Sequence, residues 1–90
     1  MTTGARPDGP AKRSLTLSGH RTSVTLEAAF LDALREIAAE RGLSLNALAA
    51  EVDAGRDPRT NLASALRLHA LAWYHERAAA YSSSAPASGA

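Results

Sequence analysis

One short segment with the two-residue period of a β-strand lies near the start of a chain that otherwise has helical periodicity. In the segment SGHRTSVTLE, the polar residues Arg21, Ser23 and Thr25 alternate with Val24 and Leu26. Such a period gives a strand two different faces. A single strand leaves its backbone N–H and C=O groups unpaired and is not stable alone. The segment therefore needs a partner strand.

The residues just upstream leave the source of that partner open. Leu15 and Leu17 alternate with Ser14, Thr16 and Ser18 before a glycine interrupts the pattern. The alternation fits a short extra strand that turns back on the main strand, and it equally fits an N-terminal extension of the main strand. If the main strand has no mate in its own chain, two copies of the chain must pair, and folding and dimerisation become one event. Periodicity does not decide between the two arrangements.

Two helices joined by a tight turn are predicted after the strand. Apolar residues recur at spacings of three and four from Glu27 to Arg41, which is typical of an amphipathic helix. Gly42 supplies the left-handed residue that often ends a helix. Ser44 is a good N-cap for a second helix whose apolar face continues to Val52.

A third helix is predicted from Leu62 to about Ala80. Gly55 and Pro58 break the preceding pattern, and Thr60 or Asn61 can cap the new helix. Its apolar residues cover more than one stripe of the helix surface, so we expect burial on several sides. In so small a protein, another subunit is the natural source of that burial.

Composition limits the folded part to one small domain. Gly, Pro, Ser and Ala dominate both ends, so residues 1–11 are predicted to be a disordered arm and 81–90 a disordered tail. The remaining domain, 12–80, has roughly 65 to 70 residues, a size at which one core is only marginally stabilising. The chain has no cysteine and no close His/carboxylate cluster, so we expect neither a metal nor a cofactor. Oligomerisation is then the remaining source of stability.

Hydropathy predicts no membrane segment. No apolar run approaches the roughly 18 residues of a membrane span, and the N-terminus lacks the apolar stretch of a signal peptide. We therefore expect a cytoplasmic protein.

The charges are distributed unevenly although the net charge is only +1. Residues 1–26 carry four cations against one acid, residues 27–55 carry two arginines against six acids, and residues 56–90 carry four arginines against two acids. The strand end is therefore basic and the first helical region acidic, which polarises the molecule electrostatically.

The order of these elements resembles the ribbon-helix-helix family of bacterial DNA-binding proteins. The matching stretch is HRTSVTLEAAFLDALREIAAERGLSLNALAAEV, a little over a third of the chain, in which the strand, the helix, Gly42 and Ser44 fall at the family's relative positions. GHRTSVTLE in particular resembles a subfamily of small bacterial proteins, mostly of undefined role. The resemblance implies a mainly α fold with one short strand: an intertwined homodimer with an intermolecular antiparallel β-ribbon, here with an additional C-terminal helix.

The resemblance also implies roles for individual residues. The outer ribbon face enters the DNA major groove, so Arg21, Ser23 and Thr25 would contact bases. Phosphates would be contacted at the start of the second helix and from the basic arm, through Ser44, Leu45, Asn46, Lys12 and Arg13. The dimer core would contain Val24, Leu26, Phe30, Leu34, Ile37, Leu48 and Val52. Ser23, Thr25 and Ser44 are equally good structural residues without DNA.

These features favour a homodimeric, sequence-specific DNA-binding protein that regulates transcription, with further assembly of the dimers on DNA as an open alternative. A second hypothesis is an antitoxin that uses the same dimer and captures a protein partner with the third helix or the tail. A third is a dimeric adaptor that has lost DNA binding, because Arg21 is the only charged residue on the ribbon face and the region below the ribbon is acidic. We do not expect an enzyme, since no catalytic set or phosphate-binding glycine loop is present.

Overall fold

The computed structural model describes residues 10–84, and residues 1–9 and 85–90 lie outside the described part. A two-stranded antiparallel sheet is followed by three helices. In chain order, the elements are β1 (Pro10–Leu17), β2 (His20–Glu27), α1 (Ala28–Arg41), α2 (Leu45–Gly55) and α3 (Leu62–Ser84).

The main strand, β2, pairs with β1 of the same chain. The two strands form a hairpin in which Leu17 lies opposite His20, so the loop consists of Ser18 and Gly19 alone. Both loop residues have positive φ, 50° for Ser18 and 86° for Gly19, as the two-residue hairpin turns that match strand twist require. The expectation that β2 lacks a mate in its own chain was wrong. Both strands of the ribbon belong to one chain, so their pairing does not require a second copy.

The core is likewise formed within one chain. Val24 and Leu26, as predicted from the alternation, are buried on the inner face of β2. Of the residues expected in a dimer core, Val24, Leu26, Leu34, Ile37 and Leu48 are buried, and Phe30 and Val52 are partly buried against them. Burial of each such side chain stabilises the fold by roughly 1.5–3 kcal/mol. These side chains are therefore buried within one chain, and their role in a dimer core stays a prediction.

The joint between α1 and α2 has the caps that the sequence predicts. Gly42 has φ 70°, and the N–H groups of Gly42 and Leu43 donate to the carbonyls of Ala39 and Ala38 at 3.2 and 2.8 Å. This is the double hydrogen bond that closes many helix C-termini. Ser44 then caps α2, because its hydroxyl oxygen accepts from the Ala47 N–H at 3.0 Å. Both predictions are confirmed.

The ends of the folded part differ from the predicted domain limits. β1 begins at Pro10, so residues 10 and 11 are strand rather than disordered arm. α3 continues to Ser84, beyond the predicted end near Ala80 and into the predicted tail. Asn61 rather than Thr60 caps α3, since its side-chain oxygen accepts from the Ser64 N–H at 2.8 Å. The rest of the predicted arm and tail lies outside the described residues.

α3 packs along α1 and α2 through one side only. Ala65, Leu66 and Ala70 are buried, whereas Leu68 and Leu71 on the opposite side are 59% and 64% exposed. The prediction that this helix is apolar on several sides holds, but within one chain only one side is covered. Within residues 10–84, no helix combines the length and the hydropathy needed to cross a membrane.

Candidate nucleic-acid interface

The outer face of the hairpin is a row of small polar and basic side chains. Residues that lie directly opposite one another in an antiparallel pair project on the same face. The register therefore groups the predicted base-contacting residues of β2 with three residues of β1, in the pairs Lys12–Thr25, Ser14–Ser23 and Thr16–Arg21. All six are exposed. The outer face is thus two strands wide, whereas the sequence indicated a face formed by one strand.

Arg21 lies across this face rather than pointing straight away from it. One terminal nitrogen of its guanidinium, Nη2, donates to the Ser14 hydroxyl at 3.3 Å. The contact is long and exposed, so it holds the guanidinium only weakly. The other guanidinium donors are left for a ligand above the sheet.

The lysine and arginines of the hairpin differ from the other described arginines in having no acidic partner within residues 10–84. Arg35, Arg41, Arg56, Arg59, Arg67 and Arg77 each form an ion pair with a carboxylate, at distances of 2.6 to 3.6 Å. No carboxylate among residues 10–84 forms such a pair with Lys12, Arg13 or Arg21. The uncompensated positive charge of the described chain therefore lies on the ribbon, although the net charge is small.

Lys12 and Arg13 are strand residues and not parts of a flexible arm. Lys12 lies on the outer face opposite Thr25, whereas Arg13 lies opposite Val24 and therefore projects on the other face. Both side chains are exposed. The sequence analysis gave Lys12 and Arg13 the same role, but in the structure they lie on opposite faces of β1. Of the two, Lys12 shares a face with Arg21.

The N-terminus of α2 lies against the free edge of β1. The side-chain oxygen of Asn46 accepts a hydrogen bond from the Thr16 backbone N–H at 3.2 Å. The hydroxyl of Ser44 is occupied by its cap, and the side chain of Leu45 packs against the core. What Ser44, Leu45 and Asn46 offer to a ligand is therefore mainly the backbone N–H groups and dipole of a helix start that flanks the ribbon.

The free edge of β2 is held by α3. Arg67 donates from Nη2 to the Thr25 carbonyl at 3.2 Å and from Nε to the Glu27 carboxylate at 2.9 Å. The hydrogen bond from Arg67 to the Glu27 carboxylate, followed by one from the Glu27 backbone, holds the pKa of Glu27 below its ordinary value. The guanidinium also lies over the Phe30 ring, 5.9 Å from its centroid, a cation–π geometry. Both edges of the ribbon are thus engaged by side chains of the helices.

Sequence reasoning named four of the six outer-face residues, because it included Lys12 as a phosphate contact. It missed Ser14 and Thr16, because it left open whether β1 turns back on β2. The available signal was the Ser18–Gly19 pair between two alternating segments, a common hairpin turn. It also missed Arg67, which lies 40 residues from Glu27 in the chain. No local pattern marks a contact at that separation.

The described residues offer no site for a metal ion. No group of three or more His, Cys, Asp or Glu side chains in residues 10–84 is arranged to hold one. The candidate interface is a solvent-exposed ribbon face, suited to hydrogen bonding and to contacts with charged groups.

Comparison with known proteins identifies the family. The model of the ribbon-helix-helix domain matches residues 10–74, which cover both strands, α1, α2 and the first half of α3. No match was found among curated proteins or among solved structures. The match covers most of the chain, and the hairpin with its following helices is consistent with it. The chain belongs to the ribbon-helix-helix domain family, which has a DNA-binding fold of the transcription-regulator type.

Proposed function

We propose that the protein is a homodimeric, sequence-specific DNA-binding regulator of transcription that places its ribbon in the major groove. One observation carries the proposal: the cations without a carboxylate partner in residues 10–84 lie on the hairpin, and two of them share its outer face. A polyanionic ligand is attracted to such a face even when the net charge of the protein is small.

The width of the ribbon supports docking in the major groove. Two paired strands lie about 4.8 Å apart, and the major groove of B-DNA is about 12 Å wide, enough for a two-stranded ribbon. Because the hairpin is complete within one chain, each protomer brings its own ribbon. A symmetric dimer then presents two ribbons, which suits a site made of two related half-sites.

The outer face has the chemistry for base recognition. Arg21 can donate two parallel hydrogen bonds to the O6 and N7 atoms of guanine, which is the commonest specific contact in the major groove. Ser14, Ser23 and Thr25 can donate or accept, and the threonine methyl group can contact the methyl group of thymine. These are short side chains, so bases would approach the strands closely. Arg21 is thus the residue on which sequence discrimination depends most.

The flanks of the ribbon suit phosphate. The start of α2 lies beside β1 through the Asn46–Thr16 hydrogen bond, so its N–H groups and positive dipole end border the outer face. Lys12 stands at the other end of that face. Contacts of this kind orient a protein on DNA without reading its sequence.

Selection of binding sequences from a random DNA pool, followed by affinity measurements, tests the proposal. We expect one sequence family to be enriched, and the purified protein to bind it at least about a thousandfold more tightly than random duplex. The affinity for both should fall steeply as salt rises. Absence of binding to any duplex at low salt would contradict DNA binding and favour an adaptor with this fold. Binding without enrichment would contradict sequence specificity.

A further inference from the structure

We infer that Ser14 is a positioning residue for Arg21: its hydroxyl holds the guanidinium over the middle of the outer face and thereby sets how Arg21 meets a base. The hydrogen bond from Arg21 Nη2 to the Ser14 Oγ, at 3.3 Å, is the observation behind this role. The inference deepens the proposed function and rests on it, because it gives a β1 residue a part in base recognition that acts through a β2 side chain.

Arg21 reaches along the ribbon rather than straight across it. The residue directly opposite Arg21 is Thr16, whereas Ser14 lies opposite Ser23, two positions further from the hairpin turn. Arg21 therefore bonds its diagonal neighbour, at a separation that a long side chain can span. The charged group is thereby drawn from the turn end of the ribbon toward the central pair of the outer face.

A carboxylate at the turn end is already engaged by another arginine. Arg21 and Asp53 both line a cavity of about 320 Å³ between the hairpin turn and the end of α2. Asp53 accepts from Arg56 Nε at 2.7 Å, and Arg56 also donates to the Thr60 carbonyl at 2.9 Å. Arg21 bonds the uncharged Ser14 hydroxyl instead. An uncharged partner leaves the positive charge of Arg21 to attract DNA.

The hydrogen bond to Ser14 leaves a complete pair of parallel donors for guanine. A guanidinium has five N–H groups in a rigid plane, and two of its edges each present two parallel donors. Nη2 contributes one N–H to each of these edges, so its bond to Ser14 removes a donor from one edge and leaves the other intact. Ser14 therefore selects the edge that Arg21 presents, and that edge can still bind O6 and N7 of guanine.

The contact should matter more in the complex than in the free protein. On the exposed ribbon, water competes for the guanidinium, whereas DNA over the outer face excludes water and strengthens the hydrogen bond. A guanidinium that is already directed toward the bases also loses less conformational freedom on binding. Ser14 thus assists recognition although it adds little to the stability of the fold.

A double-mutant cycle on DNA binding tests the inference, with Ser14→Ala, Arg21→Ala and the two combined. The probes are the duplex selected from the random pool, the same duplex with each guanine–cytosine pair replaced in turn, and a random duplex. We expect Ser14→Ala to reduce the preference for one guanine by about three- to tenfold and to leave the affinity for random duplex unchanged. In the Arg21→Ala background the same substitution should have no effect, because Ser14 acts through the guanidinium.

Two further variants control for the hydroxyl and for the fold. Ser14→Thr keeps a hydroxyl at the same place and should retain the base preference of the parent. Thr16→Ala removes a hydroxyl from the same strand and face, directly opposite Arg21, and should not alter the preference at the guanine that Arg21 reads. All three positions are exposed, so circular dichroism should report an unchanged fold for every variant.

The outcomes distinguish failure of the inference from failure of the proposed function. The inference is overturned if Ser14→Ala keeps the base preference of the parent, or if its effect persists undiminished without Arg21. It is also overturned if Ser14→Thr loses as much preference as Ser14→Ala. In each of these cases, specific binding by the parent still stands. If the parent itself enriches no DNA sequence, the proposed sequence specificity fails and the inference fails with it.

Discussion

Arg67 of α3 and Glu27 at the end of β2 form an ion pair at 2.9 Å that fastens the third helix to the ribbon. The same guanidinium donates to the Thr25 carbonyl at 3.2 Å, so α3 is bound to a backbone edge of the strand that carries the outer-face residues. The third helix is therefore an integral part of the ribbon support, and the position of the ribbon depends on contacts far away in the sequence.

This ion pair should make stability depend on pH. The hydrogen bond from Arg67 is the main cause that lowers the pKa of Glu27, and Arg41 lowers the pKa of Glu51 in the same way. A carboxyl group with a pKa below its unfolded value stabilises the fold above the unfolded pKa, about 4.3 for glutamate. That contribution is lost as the pH falls through the lowered folded value. We expect the melting temperature to decrease between about pH 5 and pH 3.

Thermal melts of Glu27→Gln identify the group responsible. The variant should be less stable than the parent at neutral pH, and its melting temperature should fall less on acidification. Glu76→Gln is the control, since Glu76 forms no ion pair with a cation among the described residues. An equal acid dependence in parent and Glu27→Gln would mean that the Arg67–Glu27 pair adds no stability.

Two glycines in the helical region should respond to alanine in opposite directions. Gly42 has φ 70°, and a Cβ there would meet no atom within 4 Å, so Gly42→Ala adds backbone strain without a clash. We expect a loss of about 1 kcal/mol in unfolding free energy. Gly55 ends α2, where a Cβ also meets open space, and Gly55→Ala should stabilise by roughly 0.4–1 kcal/mol. Urea unfolding measures both, and destabilisation by both substitutions would show that backbone conformation is not the cause.

Features encoded by neighbouring residues could be predicted from the sequence. The burial of Val24 and Leu26 follows from alternation, and the stop at Gly42 with the cap at Ser44 follows from local hydrogen-bonding preferences. Each depends on a few consecutive residues. The observed burial and helix caps therefore agree with the predictions made from the preferences of neighbouring residues.

Features that depend on distant pairing were predicted less well. The first half of β1 reads PAKRS, which has no apolar alternation and resembles the start of a linker. It is a strand because β2 lies opposite it. The end of α3 reads SSS, which is typical of a tail, yet it extends a long helix that is already formed. The first error had a further consequence, since it assigned to a second chain a strand pairing that the first chain completes.

Arg21→Ala should weaken specific DNA binding and leave the fold intact. The guanidinium is exposed, and its hydrogen bond to Ser14 is long, so little stability depends on it. Loss of a bidentate contact to guanine is worth about 1–3 kcal/mol, which corresponds to roughly ten- to hundredfold weaker binding to the selected site. Fluorescence anisotropy with the selected and a random duplex measures the effect. Arg59→Ala, an exposed arginine paired with Asp57, is the control, and equal losses in the two variants would contradict base reading by Arg21.

Lys12→Gln should change the salt dependence of binding more than its specificity. Lys12 shares the outer face with Arg21 but lies at its far end, near where a phosphate would pass. Each lost phosphate contact lowers the slope of log affinity against log salt by about 1. Titrations of random duplex across a salt series measure that slope. Arg35→Gln removes a cation already paired with Asp32 and should leave the slope unchanged, so an identical slope in all three proteins would exclude Lys12 from DNA contact.

Two substitutions of Asn46 distinguish its structural role at the ribbon edge from a role of the α2 N-terminus in DNA binding. Asn46→Ala leaves the Thr16 N–H without its acceptor and should cost roughly 0.5–1.5 kcal/mol in unfolding free energy. Asn46→Asp retains an acceptor oxygen, and a negative charge in the first turn of α2 is favourable to the helix dipole, so stability should be maintained. DNA affinity should nevertheless fall in Asn46→Asp, because the carboxylate repels a phosphate at that helix start. If Asn46→Asp binds the selected site as tightly as the parent, no phosphate lies against the N-terminus of α2.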